Sequence, residues 1–332
     1  MSHSTSWTRE QVESLYHSPL IELLHRAAET HRQHHNPAEM QVCKLLSIKT
    51  GGCPEDCKYC SQSAHHNSPI KAEPLMEVEE VLTEAKRARD RGCTRFCMGA
   101  AWRRVRNSND FDRVIEMVKG VRGLGMEVCV TLGLLSPEQA QRLKEAGLYA
   151  YNHNLDTGPE YYKEIISTRS YEDRLNTLDN VRSAGISVCC GGIIGLGESD
   201  SDRIDLLHTL ANLPEPPESV PINALAASPG TPLEHQEPVT IWEMVRMIAT
   251  ARILMPSAIV RLTAGRDKFS NPEQTLCFMA GANSIFIGEK LLTDCAPLPT
   301  YDADKALFSS LGLTPREPYK EACQPEMAGC GC

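Results

Sequence analysis

The sequence contains no run approaching the roughly 18 consecutive apolar residues that a membrane-spanning helix needs. It lacks an excess of positive charge: 34 Lys and Arg against 43 Asp and Glu leave a net charge of −9. That balance argues against a nucleic-acid partner, because such affinity rests on basic surfaces. The longest basic cluster, Arg103-Arg104-Val105-Arg106, is short and reads as a solvated loop. The segment from Met1 to Glu13 has no apolar signal region and carries acidic residues, unlike a secretory or transit peptide, so a cytoplasmic location is expected. No stretch rich in Pro, Gly or Ser divides the chain into two domains. No G-x-G-x-x-G dinucleotide fingerprint occurs.

Cysteine, by contrast, is plentiful, with 14 in 332 residues. In a reducing compartment these read as metal ligands and core thiols rather than as a disulfide framework. Three stand in one short run as C-x3-C-x2-C: Cys53, Cys57 and Cys60. Composition alone would produce this spacing about 0.02 times in such a chain. Three thiolates on one loop can hold three corners of a cubane iron–sulfur cluster, which leaves the fourth iron open to a small molecule. That arrangement suits ligation and reductive cleavage of S-adenosylmethionine. A zinc site is the competing reading, since His65 and His66 lie close by in sequence.

The periodicity predicts an N-terminal helix over 8–34, then eight strands alternating with helices. The expected strands are 42–49, 94–99, 127–132, 150–155, 187–194, 219–225, 259–263 and 284–287. The helices between them lie near 78–91, 111–124, 137–146, 171–184, 200–213, 241–255 and 272–280. Several helices end in Gly, as Gly92, Gly125 and Gly147 do, which suits a left-handed cap before a return strand. The expected fold class is α/β, a (β/α)8 TIM-type barrel. Its parts are a helical extension at 1–38, the barrel at 39–300 and a C-terminal segment at 301–332 without periodicity, partly disordered and ending in Cys330-Gly331-Cys332.

Alternate residues of a barrel strand point inward. The inward sets here include Ser47 and Lys49, Cys97, Cys129 and Thr131, then Asn152, Asn154 and Asp156, Cys189, Asn223 and Arg261. A buried arginine needs an anion or ligand beside it, and clustered thiolates need a cation. A second iron–sulfur centre inside the barrel satisfies both; three independent core cysteines are the alternative. Cys43, Cys93, Cys190, Cys277 and Cys295 read as core or surface fillers, with Cys190 facing away from Cys189 into the helix layer.

The cysteine loop, with Tyr59 before the third Cys, resembles that of the radical S-adenosylmethionine superfamily. Gly191, Ile193, Gly195 and Glu198 fit that superfamily's G-x-I-x-G-x-x-E stretch. Across nearly its whole length the chain is most similar to the biotin synthases, on runs such as Thr94–Trp102, Tyr151–Thr157 and Met279–Ser284. This resemblance implies radical insertion of sulfur between two unactivated carbons of dethiobiotin. It implies a 4Fe–4S cluster on Cys53, Cys57 and Cys60, and a 2Fe–2S cluster on Cys97, Cys129, Cys189 and Arg261. It also implies S-adenosylmethionine contacts at Tyr59, Asp156, Arg174 and Ile193, and dethiobiotin contacts at Asn152, Asn154 and Asn223. No side chain acts as catalytic acid or base in this scheme. The implied partners are a flavodoxin- or ferredoxin-like electron donor and a second copy in a homodimer. Competing readings are another radical enzyme of the superfamily, maturase- or mutase-like, and a non-catalytic iron–sulfur scaffold. Lipoyl synthase would need a second cysteine motif before Cys43, and none is present.

Overall fold

The computed structural model describes residues 6–287 and 300–319. Two helices open it, α1 (Arg9–Tyr16) and α2 (Leu20–His34), followed by β1 (Glu39–Lys49). Then come α3 (Val78–Asp90), β2 (Arg95–Ala100), α4 (Asn109–Gly123), β3 (Glu127–Thr131), α5 (Pro137–Glu145) and β4 (Ala150–Asn152). The next elements are α6 (Tyr162–Ile165), α7 (Tyr171–Ser183), β5 (Ser187–Cys189), β6 (Gly192–Ile194), α8 (Asp200–Ala211) and β7 (Ser219–Ala224). The described chain finishes with α9 (Ile241–Leu254), β8 (Ile259–Leu262), α10 (Asn271–Met279), β9 (Ser284–Ile287), α11 (Tyr301–Leu311) and β10 (Thr314–Pro315).

All the strand pairings are parallel, and β1 pairs with both β2 and β9, so the sheet closes on itself. With β5 and β6 taken as two halves of one strand, this is the expected eight-stranded barrel. Its apolar outward faces (Val128, Val130, Val220, Ile222, Val260, Leu262) pack with helix residues such as Val118, Leu207 and Ile248 into one continuous core layer. Inside, Cys97, Cys129, Ala150 and Cys189 form a separate small cluster. Capping boxes at Ser136, Ser170, Ser199 and Thr240 start four of the helices, each side chain bonding the backbone three residues on.

The structure departs from the sequence expectations in several places: β4 stops at Asn152 rather than running to 155, α6 and β10 are not among them, and three further differences have clear causes. The N-terminal helix is two helices, because Pro19 cannot continue the first and instead precedes the second. The fifth strand breaks after Cys189. Gly191 crosses so close to β7 that a Cβ there would lie 1.9 Å from the Pro221 carbonyl oxygen, which leaves no room for a regular pleat. The segment after residue 300 is not aperiodic: α11 docks through Asp304, whose two oxygens take Nη1 and Nη2 of the buried Arg266 at 2.8 and 2.6 Å. Cys295, Cys330 and Cys332 lie outside the described residues.

A floor closes the N-terminal end of the barrel. Glu127, fully buried, accepts from Arg95 Nε at 2.8 Å, Gln41 Nε2 at 2.9 Å and Arg316 Nη2 at 2.7 Å. Tyr319 stacks on Tyr149 beneath it, ring centroids 5.9 Å apart. The open end is the C-terminal mouth, where barrel folds place their chemistry. Among the described residues no helix is long and apolar enough to cross a membrane.

Candidate active site

The loop carrying Cys53, Cys57 and Cys60 leaves the end of β1 at the mouth. Gly51 starts it with φ +67°, where a Cβ would stand 2.7 Å from the Lys71 carbonyl oxygen, so only glycine fits. Backbone bonds then fold it on itself: Cys53 N–H to Gln62 O at 2.9 Å, Cys60 N–H to Cys57 O at 2.9 Å and Ala64 N–H to Cys53 O at 2.7 Å. Asp56 ties the loop to the α6–α7 connection, accepting from the N–H groups of Ser167 and Thr168 at 2.9 and 3.2 Å. Against the upward push of burial, bonds from Ser167 and Thr168 hold its carboxyl at about 2. Burial raises all three thiols, Cys60 to about 12, so the metal-free loop keeps its protons and a bound metal must displace them.

The nearby histidines are directed elsewhere. His65 Nε2 faces the Pro54 carbonyl at 3.1 Å and His66 Nε2 the Cys57 carbonyl at 2.9 Å. Among the described residues no three His, Cys, Asp or Glu converge on one point suited to a single metal ion. A cubane instead takes one thiolate on each of three irons, and the loop's donor set fits that group better than zinc.

Asp156 sits just past β4 with φ +69°, a conformation Asp tolerates better than most residues. Its carboxylate accepts from Tyr59 Oη at 2.9 Å and from Arg174 Nη2. Arg174 also donates to Tyr162 Oη at 2.8 Å and to the Asn154 carbonyl. The cysteine loop, the β4 turn and α7 are thereby locked together. Asn152 donates to Asn154 Oδ1 at 3.0 Å and accepts from Thr131 Oγ1 at 3.1 Å, and Asn154 in turn accepts from Gly191 N–H at 3.2 Å. Asn223 donates to the Gly192 carbonyl at 2.8 Å and stands in register with Ile193.

Deeper in the barrel, Cys43, Cys97, Cys129 and Cys189 are all buried on β1, β2, β3 and β5, with Cys97 and Cys129 opposite each other in register. Arg261, equally buried, donates Nε to Ser284 Oγ at 2.8 Å, Nη2 to Gln41 Oε1 at 2.9 Å and Nη1 to Cys189 Sγ at 3.6 Å. The neighbouring Cys189 and Cys97 draw Cys129 well below the usual thiol range, while burial and the neighbouring Cys129 and Cys43 keep Cys97 high. Although burial opposes it, the neighbouring Cys97 and the charge of Arg261 hold Cys43 at about 6. Four buried sulfurs beside two buried guanidinium groups, Arg95 and Arg261, are a cage that fits a sulfur-rich metal cluster.

The fourteen residues to which the resemblance gives cluster, cofactor or substrate roles all line one cavity, with the cysteine loop at its mouth and Cys97, Cys129 and Cys189 at its base; Ser47 and Lys49 do not line it. Residues 47–210 match the Radical SAM superfamily, and residues 221–314 match the Biotin and Thiamin Synthesis associated domain. The chain is 61% identical to a biotin synthase of Cytophaga hutchinsonii, over 97% of this chain and 95% of that one. It is 58% identical to the mitochondrial biotin synthase of Arabidopsis thaliana, over 98% of this chain and 85% of that protein. The chain belongs to the biotin synthase family. Members of this family of radical enzymes use a 4Fe–4S cluster, a 2Fe–2S cluster and S-adenosylmethionine. The barrel itself is shared more widely: a methylornithine synthase superposes with a TM-score of 0.76 at 18% identity, covering 95% of each chain.

In this biotin synthase family member, sequence reasoning missed several cavity and cage residues. Cys43 passed as a filler, although its odd-numbered position on β1 shares the inward face of Ser47. Arg169 and His153 line the cavity with buried ring or guanidinium nitrogens, Nε and Nε2, that have no hydrogen-bond partner. Burial and the charges of Arg169 and Arg174 hold His153 well below its usual range, so its ring is neutral. No spacing rule flags either residue. Cys190 lies where expected, in the outer core layer, while Cys189 faces inward.

Proposed function

We propose that the protein inserts sulfur into dethiobiotin to form biotin, by a radical S-adenosylmethionine mechanism. The observation that carries this reading is a single cavity with a three-cysteine loop at its mouth and a second thiol cage at its base. Cys53, Cys57 and Cys60 would hold the 4Fe–4S cluster, and Cys97, Cys129, Cys189 and Arg261 the 2Fe–2S cluster. When bound, the outer cluster with S-adenosylmethionine supplies a radical that abstracts hydrogen, and the inner cluster supplies sulfur.

The protein's own residues position these groups. Tyr59, Asp156, Arg174 and Ile193 border the space next to the cysteine loop, where S-adenosylmethionine would bind. Asn152, Asn154 and Asn223 present amides between the two cages, where the polar ureido ring of dethiobiotin would be held. An unactivated alkyl carbon gives acid–base chemistry nothing to act on. The barrel wall and the closed floor keep water and oxygen from radicals formed inside.

The physiological reductant would be a flavodoxin- or ferredoxin-like protein. A second recess, walled by Lys49, Gly52, Pro54, Trp102, Arg104 and Arg106, adjoins the cysteine loop, and its basic rim suits an acidic donor. A homodimer is part of the same reading.

Mössbauer spectroscopy with iron and sulfide analysis, on protein reconstituted without oxygen, tests the proposal. Separate 4Fe–4S and 2Fe–2S signals are expected, the second consumed as dethiobiotin turns over. Cys53→Ala should abolish S-adenosylmethionine cleavage. A lone 4Fe–4S signal, or cleavage retained in that variant, would overturn the assignment.

A further inference from the structure

We propose that Cys43 is a reserve ligand of the inner cluster, able to replace Arg261 on iron so that four cysteines complete the cage. This rests on the two-cluster reading above.

Cys43 is fully buried, on the inward face of β1. Its Sγ lies 3.6 Å from Ser284 Oγ, the same hydroxyl that receives Arg261 Nε at 2.8 Å. Across the β1–β2 pairing, Cys97 stands opposite Leu45, one inward position above Cys43. The cage therefore carries four sulfurs in one row on β1, β2, β3 and β5, and Arg261 meets both ends of that row: directly at Cys189, and through Ser284 at Cys43.

Two chemical facts favour a thiolate over a guanidinium on iron. A guanidinium has five N–H donors and no acceptor, so it can bind iron only after losing a proton. Three of Arg261's donor directions are already committed to Ser284, Gln41 and Cys189. Four cysteines are the ordinary ligand set of a 2Fe–2S cluster, and the row offers two neighbouring pairs, Cys43 with Cys97 and Cys129 with Cys189. The exchange is balanced without an oxidant or reductant. The Cys43 S–H bond breaks and an S–Fe bond forms, the Arg261 N–Fe bond breaks, and the thiol proton passes to the guanidine nitrogen. Arg261 then stays as a cationic hydrogen-bond donor beside the cluster.

The test compares reconstituted wild type, Arg261→Met, Cys43→Ser and the double variant, reading iron and sulfide content, Mössbauer spectra and circular dichroism. Arg261→Lys, which keeps the charge, repeats the measurement if Arg261→Met fails to fold. Arg261→Met or Arg261→Lys alone should retain the 2Fe–2S signal. Combining either with Cys43→Ser should remove that signal, about two irons per chain, and leave the 4Fe–4S signal in place. Loss of the 2Fe–2S signal in the Arg261 single variants overturns the proposal, as does its survival in the double variant. Absence of a 2Fe–2S signal from wild type would instead remove the two-cluster reading and this inference with it.

Discussion

Tyr59 Oη donates to Asp156 Oδ2 at 2.9 Å, joining a residue between two loop cysteines to the turn after β4. The same carboxylate oxygen faces Arg174, and both members of that ion pair are almost completely buried. Asp156→Asn keeps the shape and removes the charge. It should leave the Arg174 guanidinium uncompensated, at a cost of about 3–5 kcal/mol in stability, and weaken S-adenosylmethionine binding about tenfold or more. Denaturant unfolding and calorimetric titration of the reconstituted protein measure the two effects. Unchanged affinity would remove Asp156 from the cofactor site.

The floor of the barrel should show a graded response. Glu127→Gln strands the buried Arg95 and is expected to lose about 3–5 kcal/mol. Arg316→Ala removes a charged hydrogen bond at a more exposed position and should lose about 1.5–3 kcal/mol. Urea midpoints of the two variants give the comparison, and equal losses would mean that Arg95 is not the group Glu127 chiefly serves.

Acid should loosen the contact between α2 and α9. Burial and the charge of Arg252 hold His31 at about 3 and His35 at about 4. Arg252 Nη1 donates to His35 Nε2 at 3.0 Å, which needs a neutral ring. Unfolded, both histidines titrate near about 6.5. Below that pH the unfolded chain binds more protons than the folded one, so stability is full above about pH 6.5 and falls as pH drops toward the folded values. The thermal midpoint should therefore decline from pH 7 to 5, and less steeply in His35→Gln. An identical slope in that variant would rule out the clasp as the cause.

Arg104 and Arg106 are exposed beside the cysteine loop and form no ion pair among the described residues. Reversing both charges, Arg104→Glu with Arg106→Glu, should slow reduction by a flavodoxin about tenfold at low salt and leave reduction by dithionite unchanged. High salt should narrow the gap. Equal slowing with both reductants would point to damage at the cluster loop rather than to docking.

The sequence made much of this legible because two kinds of regularity coincide in it. Strand alternation marked Cys97, Cys129, Cys189 and Arg261 as inward, and the loop spacing marked Cys53, Cys57 and Cys60. Cys43 escaped because a single cysteine at a strand's start looks like any small core residue; only the closure of β1 onto β9 brings it beside Ser284. The break after Cys189 depends on the distance from Gly191 to the Pro221 carbonyl, a contact between strands 30 residues apart that no local pattern encodes. The helix over 301–311 escaped because its anchor, the Arg266–Asp304 pair, is long-range. Arg95, Glu127 and Arg316 carry no spacing signal, and only the closed barrel brings them together.

That floor also orders events during synthesis. Arg316 and Tyr319 follow all eight barrel strands in sequence, so a ribosome makes every strand before the residues that cover Glu127 and Tyr149 from below. Once they settle, the chamber of the described residues opens at its mouth, beside the cysteine loop.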